Sequence, residues 1–226
     1  MWRFLHPIDL VRLINADELL RLVELDTESM RVTIDMAVEL VISYLLKRYD
    51  ESLAFPQIKV WQVDQEYTEG DLVVSLPPAF DLEAEYGAGD QVTYNGLVFK
   101  ATQATTGDAP GQGFKSVWSG VAWRIMRCSV DHTSEGTIDG TKFEAVDPRN
   151  QVLVSATADI VVYELMARAM PDAMPDVRKD RYKAAIAMLS RIATGKQSID
   201  LPPAPTNTLG SRRLVVAASG SRPQWD

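Results

Sequence analysis

Several short stretches hold residue types that could do chemistry. Gly111-Gln-Gly113-Phe-Lys115-Ser116 has the composition of a phosphate loop, in which backbone amides and a lysine cradle an anion. That motif needs its Gly and Lys adjacent, and Phe114 intervenes, so a surface loop is the preferred reading. Asp81, Glu83 and Glu85 alternate with Leu82 and Ala84. Paired carboxylates do acid–base work, but this spacing suits the solvated face of an extended segment. Asp131-His132 is half of a metal site with no third ligand spaced to join it. No Gly-x-Ser-x-Gly elbow occurs. Cys128, the one cysteine, excludes an intramolecular disulfide and reads as an inert buried thiol. The basic run Arg178 to Lys183 could touch phosphate; a wet helix face or a contact with an acidic neighbour is preferred. None of this makes a catalytic constellation, so the sequence reads as a non-enzyme with no cofactor and no metal site.

The aromatics Tyr86, Tyr94, Phe99, Trp118 and Trp123 pose a sharper choice. Exposed and coplanar, they would stack on sugar rings; buried, they are the core of a small β-module. The core reading is preferred, with one ring left exposed. Their surroundings read as strands: period-two alternation runs from Phe55 to about Phe143, with Ile58–Val63 as one strand. Asn95-Gly96 between Gln91–Tyr94 and Leu97–Ala101 predicts a tight hairpin, and Asp139-Gly140 predicts another. Tyr67-x-x-Gly70-Asp71-x-Val73 is echoed by Tyr86-x-x-Gly89-Asp90-x-Val92. Two copies fall short of a repeat architecture.

Helices flank this block. Thr27 to Tyr49 has a narrow polar stripe, Arg31, Asp35, Glu39, Ser43 and Lys47, and is apolar nearly everywhere else. Such a helix needs cover on more than one side. A neighbouring copy of the same protein supplies it, or the helix lies deep inside one chain. On the first reading the subunit interface involves Val41, Tyr44, Leu45, Arg48 and Tyr49. Short helices are expected over Asp9–Ile14 and Ala16–Val23. Asp147 as N-cap with Pro148 opens a helix over 152–170, and Pro175-Asp176 opens one to Thr194, with Gly195 just past its end. After Leu201 the chain is an extended tail. Arg212, Arg213, Leu214, Val215, Val216 and Trp225 are its candidate partner-binding residues, expected to add a strand to a neighbour's sheet edge.

The resulting fold class is α+β. A helical domain (1–55 and 146–200) carries a β-rich insertion (56–145) that projects from it and is expected to be removable, followed by the tail (201–226). The net charge of −8 is unevenly spread. Residues 50–150 have seven Lys/Arg and sixteen Asp/Glu, net −9; residues 175–226 have nine and four, net +5. That asymmetry suits an oriented molecule with different neighbours on different faces rather than one that wraps nucleic acid. No apolar stretch is long enough to span a membrane, no secretory signal is visible, and the lone cysteine fits intracellular synthesis.

The stretch Asp180-Arg-Tyr-Lys-Ala-Ala-Ile-Ala-Met-Leu-Ser-Arg-Ile-Ala-Thr-Gly-Lys-Gln-Ser-Ile199 resembles the C-terminal helix and exit of tailed-phage head–tail adaptor proteins, the Mu-type connector family. Ser43-Tyr44-Leu45-Leu46-Lys47-Arg48-Tyr49 and Ala156-Thr-Ala-Asp159-Ile-Val-Val-Tyr163-Glu-Leu are similar to two further motifs of that family, in the same order. The resemblance implies a ring of subunits, typically a dodecamer, in the virion neck between portal protein and a tail or neck protein. DNA would pass through it without sequence-specific binding, and assembly would take place in the bacterial cytoplasm. Tyr86-x-x-Gly89-Asp90-x-Val92-x-Tyr94-x-Gly96-x-x-Phe99-x-Ala101, with Pro110 and Trp118, is similar to the small chitin-binding-type modules of chitinases. Thr102-Gln103-Ala104 stand where those modules carry a Trp pair. The rival function implied is a carbohydrate-binding accessory protein acting through the insertion.

Overall fold

The computed structural model describes residues 2–22, 27–111, 117–121, 124–136, 138–145, 147–201 and 203. Three long helices form one layer: α3 (Thr27–Leu45), α5 (Gln151–Ala169) and α6 (Asp176–Ala193), each packed on the other two. The short helices α1 (Pro7–Leu10), α2 (Ala16–Leu22) and α4 (Glu51–Ala54) lie before and after α3. α5 is apolar around most of its circumference and has ten buried positions between Leu153 and Met166, as a central helix must. On α3, Met30, Ile34, Val38, Val41, Ile42 and Leu45 are buried by α5, α6 and the rest of this chain. The second cover is therefore internal. Among the described residues one side of α3 stays open, with Val32 40% and Met36 57% exposed.

Helix starts follow local side-chain chemistry. His6 caps α1: its Nδ1 accepts from the Ile8 amide at 3.3 Å, while Asp9 accepts from the His6 amide at 2.9 Å. α5 begins at Asn150, whose side chain accepts from Val152 and Leu153, and not at Asp147. Asp147 is engaged elsewhere. It receives Arg149 Nη2 at 2.6 Å, and the same guanidinium makes a two-pronged contact with Asp9 at 2.8 and 2.9 Å and donates to the Phe4 carbonyl. The Arg149 side chain is fully buried, so removing one partner of this cluster is worth about 3–5 kcal/mol.

The β-region contains one bonding scheme twice. The outer copy is built from β2 (Gln57–Val60), β3 (Glu66–Tyr67), β4 (Leu72–Val74), β10 (Met126–Cys128), β11 (His132–Thr133) and β12 (Phe143–Glu144). The inner copy is built from residues 79–80, β5 (Glu85–Tyr86), β6 (Gln91–Tyr94), β7 (Leu97–Ala101), β8 (Thr105–Thr106) and β9 (Trp118–Val121). In the outer copy Trp61 N donates to Val74 O, and Gln62 N to the Tyr67 hydroxyl at 2.8 Å. In the inner copy Phe80 N donates to Thr93 O, and Asp81 N to the Tyr86 hydroxyl at 2.7 Å. Asp71 accepts from Thr68 N, as Asp90 does from Gly87 N. Gly70 and Gly89 both take the left-handed conformation, φ +92° and +102°, that Gly alone adopts without strain. Gly70 N and Gly89 N donate to Cys128 O and Ala101 O; Cys128 N and Ala101 N donate back to Asp71 O and Asp90 O. Parallel pairing of Val60 with Val74 matches that of Ala79 with Thr93, and the pairs Cys128–Phe143 and Ala101–Trp118 also correspond. The inner copy occupies the place of the turn between β4 and β10. The echoed Tyr-x-x-Gly-Asp-x-Val thus opens a repeated motif.

Two sequence expectations change here. The Asn95-Gly96 hairpin forms as expected, with φ +51° and +76°. Asp139-Gly140 joins no pair of strands: Asp139 accepts from the Thr141 amide and hydroxyl, and β12 pairs with β10 instead. Nor does the insertion as a whole project. Val92, Leu97, Phe99, Ala101 and Trp118 of the inner copy belong to the same core as the helices. A Cβ at Gly120 would collide with the Ala16 methyl of α2, so β9 lies directly on that helix. Excising residues 56–145 would strip this cover. The outer copy has separate small cores, one packing on Ile8 and one around Tyr67, Val73, Cys128 and Phe143. Its sheet is extended by β1 (Trp2–Arg3), in the order β1-β2-β4-β10-β12.

Candidate functional site: the helical seam and the chain exit

The residues that carry the adaptor resemblance meet along one seam. Tyr163 of α5 and Tyr182 of α6 stack with centroids 4.1 Å apart and planes at 21°. Burial raises the Tyr182 hydroxyl above its usual value, and Glu164, Tyr163 and Tyr44 add to the shift. One turn away Arg181 meets Asp159 at 2.7 Å. At the far end of α6, Gly195 has φ +77° and closes the helix, and Lys196 N reaches back to Arg191 O. Arg48 lies against Gly195 so closely that a Cβ there would strike the guanidinium. The Tyr49 hydroxyl accepts from Ile199 N at 3.3 Å, and Tyr49 pairs with Pro203. The end of α3 therefore steers the chain where it leaves α6.

This placement redistributes the candidate interface. Val41 and Leu45 are fully buried and Tyr49 nearly so, which takes them out of any surface a neighbour could touch. Tyr44 is half-buried on the core, and Arg48 is exposed but committed to the exit. What α3 does offer is Val32 and Met36, and Leu46 just beyond its end; the polar pattern hid them because they interleave with Glu39 and Ser43.

The aromatic candidates are packed. Phe99 is fully buried and Trp118 is 3% exposed; Tyr86 and Tyr94 are half-buried. Phe80, which the sequence reading did not single out, is the hub: it stacks on Tyr86 and meets Tyr94 and Trp118 edge to face. The Trp118 indole donates to the Asp108 carbonyl at 2.6 Å. Interplanar angles of 73° to 89° at Trp118 and Tyr94 rule out a flat platform made by these rings. Trp123 lies outside the described residues, as do Arg212, Arg213, Leu214, Val215, Val216 and Trp225.

Gln112 to Ser116 of the glycine-rich stretch lie outside the described residues; several other chemical candidates are occupied structurally. Asp81 caps its own turn. Cys128 is buried, burial raises its thiol, and its Sγ points to the Val130 carbonyl. His132 lies 3.6 Å from that sulfur. Of the basic run, Arg178 donates to the Leu13 carbonyl, and Lys179 and Lys183 pair with Asp176 and Asp180 on their own helix. Among the described residues no cluster of three or more His, Cys, Asp and Glu is placed to hold a metal ion, and no helix is long and apolar enough to cross a membrane.

Residues 145–217 match the model of the family described as Bacteriophage Mu, Gp36. That range covers about a third of the chain and takes in α5, α6 and the exit held by Arg48 and Tyr49. The match supports a bacteriophage-related protein. No curated protein and no solved structure matches it.

Proposed function

We propose that the chain is a head–tail adaptor: a structural subunit that rings the DNA channel between portal and tail and catalyses nothing. The observation that carries this reading is the coincidence of the matched range with one structural unit, the α5–α6 pair and its exit. The α3 motif that resembles the same family packs on that unit from outside the matched range. In such a ring the open side of α3, with Val32, Met36 and Leu46, faces the adjacent subunit. The acidic β-region lies away from the DNA. The carbohydrate-binding alternative needs rings free to stack on sugar, and the rings placed in the inner copy are spent on its core.

Native mass measurement of the purified chain, alone and with its portal protein, tests the proposal. The expected result is a closed oligomer or a stoichiometric complex with the portal ring, weakened by Met36→Glu. A chain that stays monomeric alone and ignores the portal overturns it.

A further inference from the structure

The two β-copies differ at one place. In the inner copy the Trp118 indole fills the space beside Phe80 and spends its N–H on the Asp108 carbonyl. In the outer copy the equivalent positions are Phe143, Trp61 and Glu135. Phe143 is smaller than an indole, and between it and Trp61 lies a cavity of about 140 Å³, lined also by His132, Ser134, Glu135 and Lys142. A cavity of this size accepts a benzene-sized ring. The Trp61 Nε1 atom is buried and has no hydrogen-bond partner among the described residues, a condition that favours any acceptor able to reach it. The outer copy thus has the frame of the inner one without the ring that completes it.

The chain holds a candidate ring. Residues 204–226 end in Arg222-Pro223-Gln224-Trp225-Asp226. The chain reaches that segment beside the outer copy: a second cavity, of about 480 Å³, has Gly70 and Leu72 on its wall together with Asp200 and Leu201. From Pro203 a segment of this length spans up to about 70 Å when extended, far more than one small β-motif requires. The charges fit as well. Glu135 and Asp139 on the cavity lining suit Arg222, and Lys142 suits the side-chain carboxylate of Asp226. We propose that the outer cavity is the seat of the chain's own terminal indole, Trp225, which completes the outer copy as Trp118 completes the inner one, with a tail carbonyl accepting from Trp61 Nε1. This holds whether or not the chain forms a ring.

The five tryptophans of the full chain are expected to give separate indole N–H signals in a nitrogen–proton correlation spectrum. Trp225→Ala is expected to move the Trp61 signal and leave that of Trp118 in place. A synthetic peptide of residues 217–226 added to that variant is expected to restore the Trp61 position. In the unaltered chain the Trp225 indole is expected to exchange its proton slowly, and Phe143→Trp, which fills the cavity, to abolish that protection. A Trp61 signal indifferent to Trp225→Ala overturns the proposal and leaves a hydrated cavity. A Trp61 shift that appears only as concentration and molecular mass rise also overturns it, by assigning the seat to a second copy's tail.

Discussion

The inner and outer β-copies share their hydrogen bonds and differ in what holds them to the rest of the chain. The inner copy is anchored by apolar burial, with Phe99 and Trp118 in the helical core and Gly120 against Ala16. The outer copy is anchored by its margin: β1 pairs with β2, Ile8 packs on its sheet, and the chain between them is pinned through Phe4 and Asp9 to Arg149. One backbone frame therefore serves two attachments, and the side chains on its surface decide which.

Equivalent truncations sharpen that contrast most. Trp118→Ala is expected to cost about 5 kcal/mol, the upper end for a large buried ring, because it empties a shared core. Phe143→Ala is expected to cost about 3 kcal/mol, because its ring already borders a cavity. Denaturant unfolding of both variants measures the gap, and equal losses would erase the distinction between the copies.

Acid should then loosen the outer anchorage first. Burial is the main reason the His6 pKa is lowered to about 3; Arg149 adds to the effect and Asp9 opposes it. The folded protein keeps this imidazole neutral, with Nδ1 accepting from Ile8, while the unfolded chain protonates it near pH 6.5. Stability from this group is complete above about pH 6.5 and falls by about 1.4 kcal/mol per pH unit down to about pH 3. Amide exchange at pH 7 and pH 4.5 is expected to show β1 and β2 losing protection before β6 and β7. His6→Asn, which retains a cap acceptor, is expected to flatten the dependence. An unaltered pH profile in that variant would locate the acid sensitivity elsewhere.

The smallest effects should be the most alike. Tyr67→Phe and Tyr86→Phe each delete a hydroxyl that accepts from the amide five residues earlier. Each is expected to cost about 1 kcal/mol, with the two losses agreeing to within about half of that. Thermal unfolding decides it, and a large inequality would mean that the matched bonds do unmatched work.

The sequence showed these elements unevenly. The Asn95-Gly96 hairpin was readable because a two-residue turn with both φ positive admits few residue pairs. The three long helices were readable from their apolar spacing, and the stop after α6 from Gly195. The echo of Tyr, Gly, Asp and Val was visible, but its continuation was not. Strands β3, β5, β8 and β11 are two residues long, too short for any period, and the spacing between equivalent residues changes where the inner copy interrupts the outer. A neighbouring copy was one of two readings for the second cover of α3 because a chain of this size offers few other helices; α5 and α6 together supply it. Phe80 and Arg149 escaped notice because neither sits in a motif; their importance comes from the partners that the fold brings to them.

Nesting one β-copy within another also sets an order of events along the chain. The strands of the inner copy are near neighbours in sequence, and a two-residue turn already brings β6 to β7. β4 and β10 are separated by the whole inner copy, and closing so long a flexible loop is entropically costly and slow. Once the inner copy has formed, its two ends lie close together and that loop is no longer flexible. The inner copy then acts as a folded hinge pin: the outer strands are brought together by the collapse of the segment between them, and the N-terminal strand β1 closes the sheet at its β2 edge.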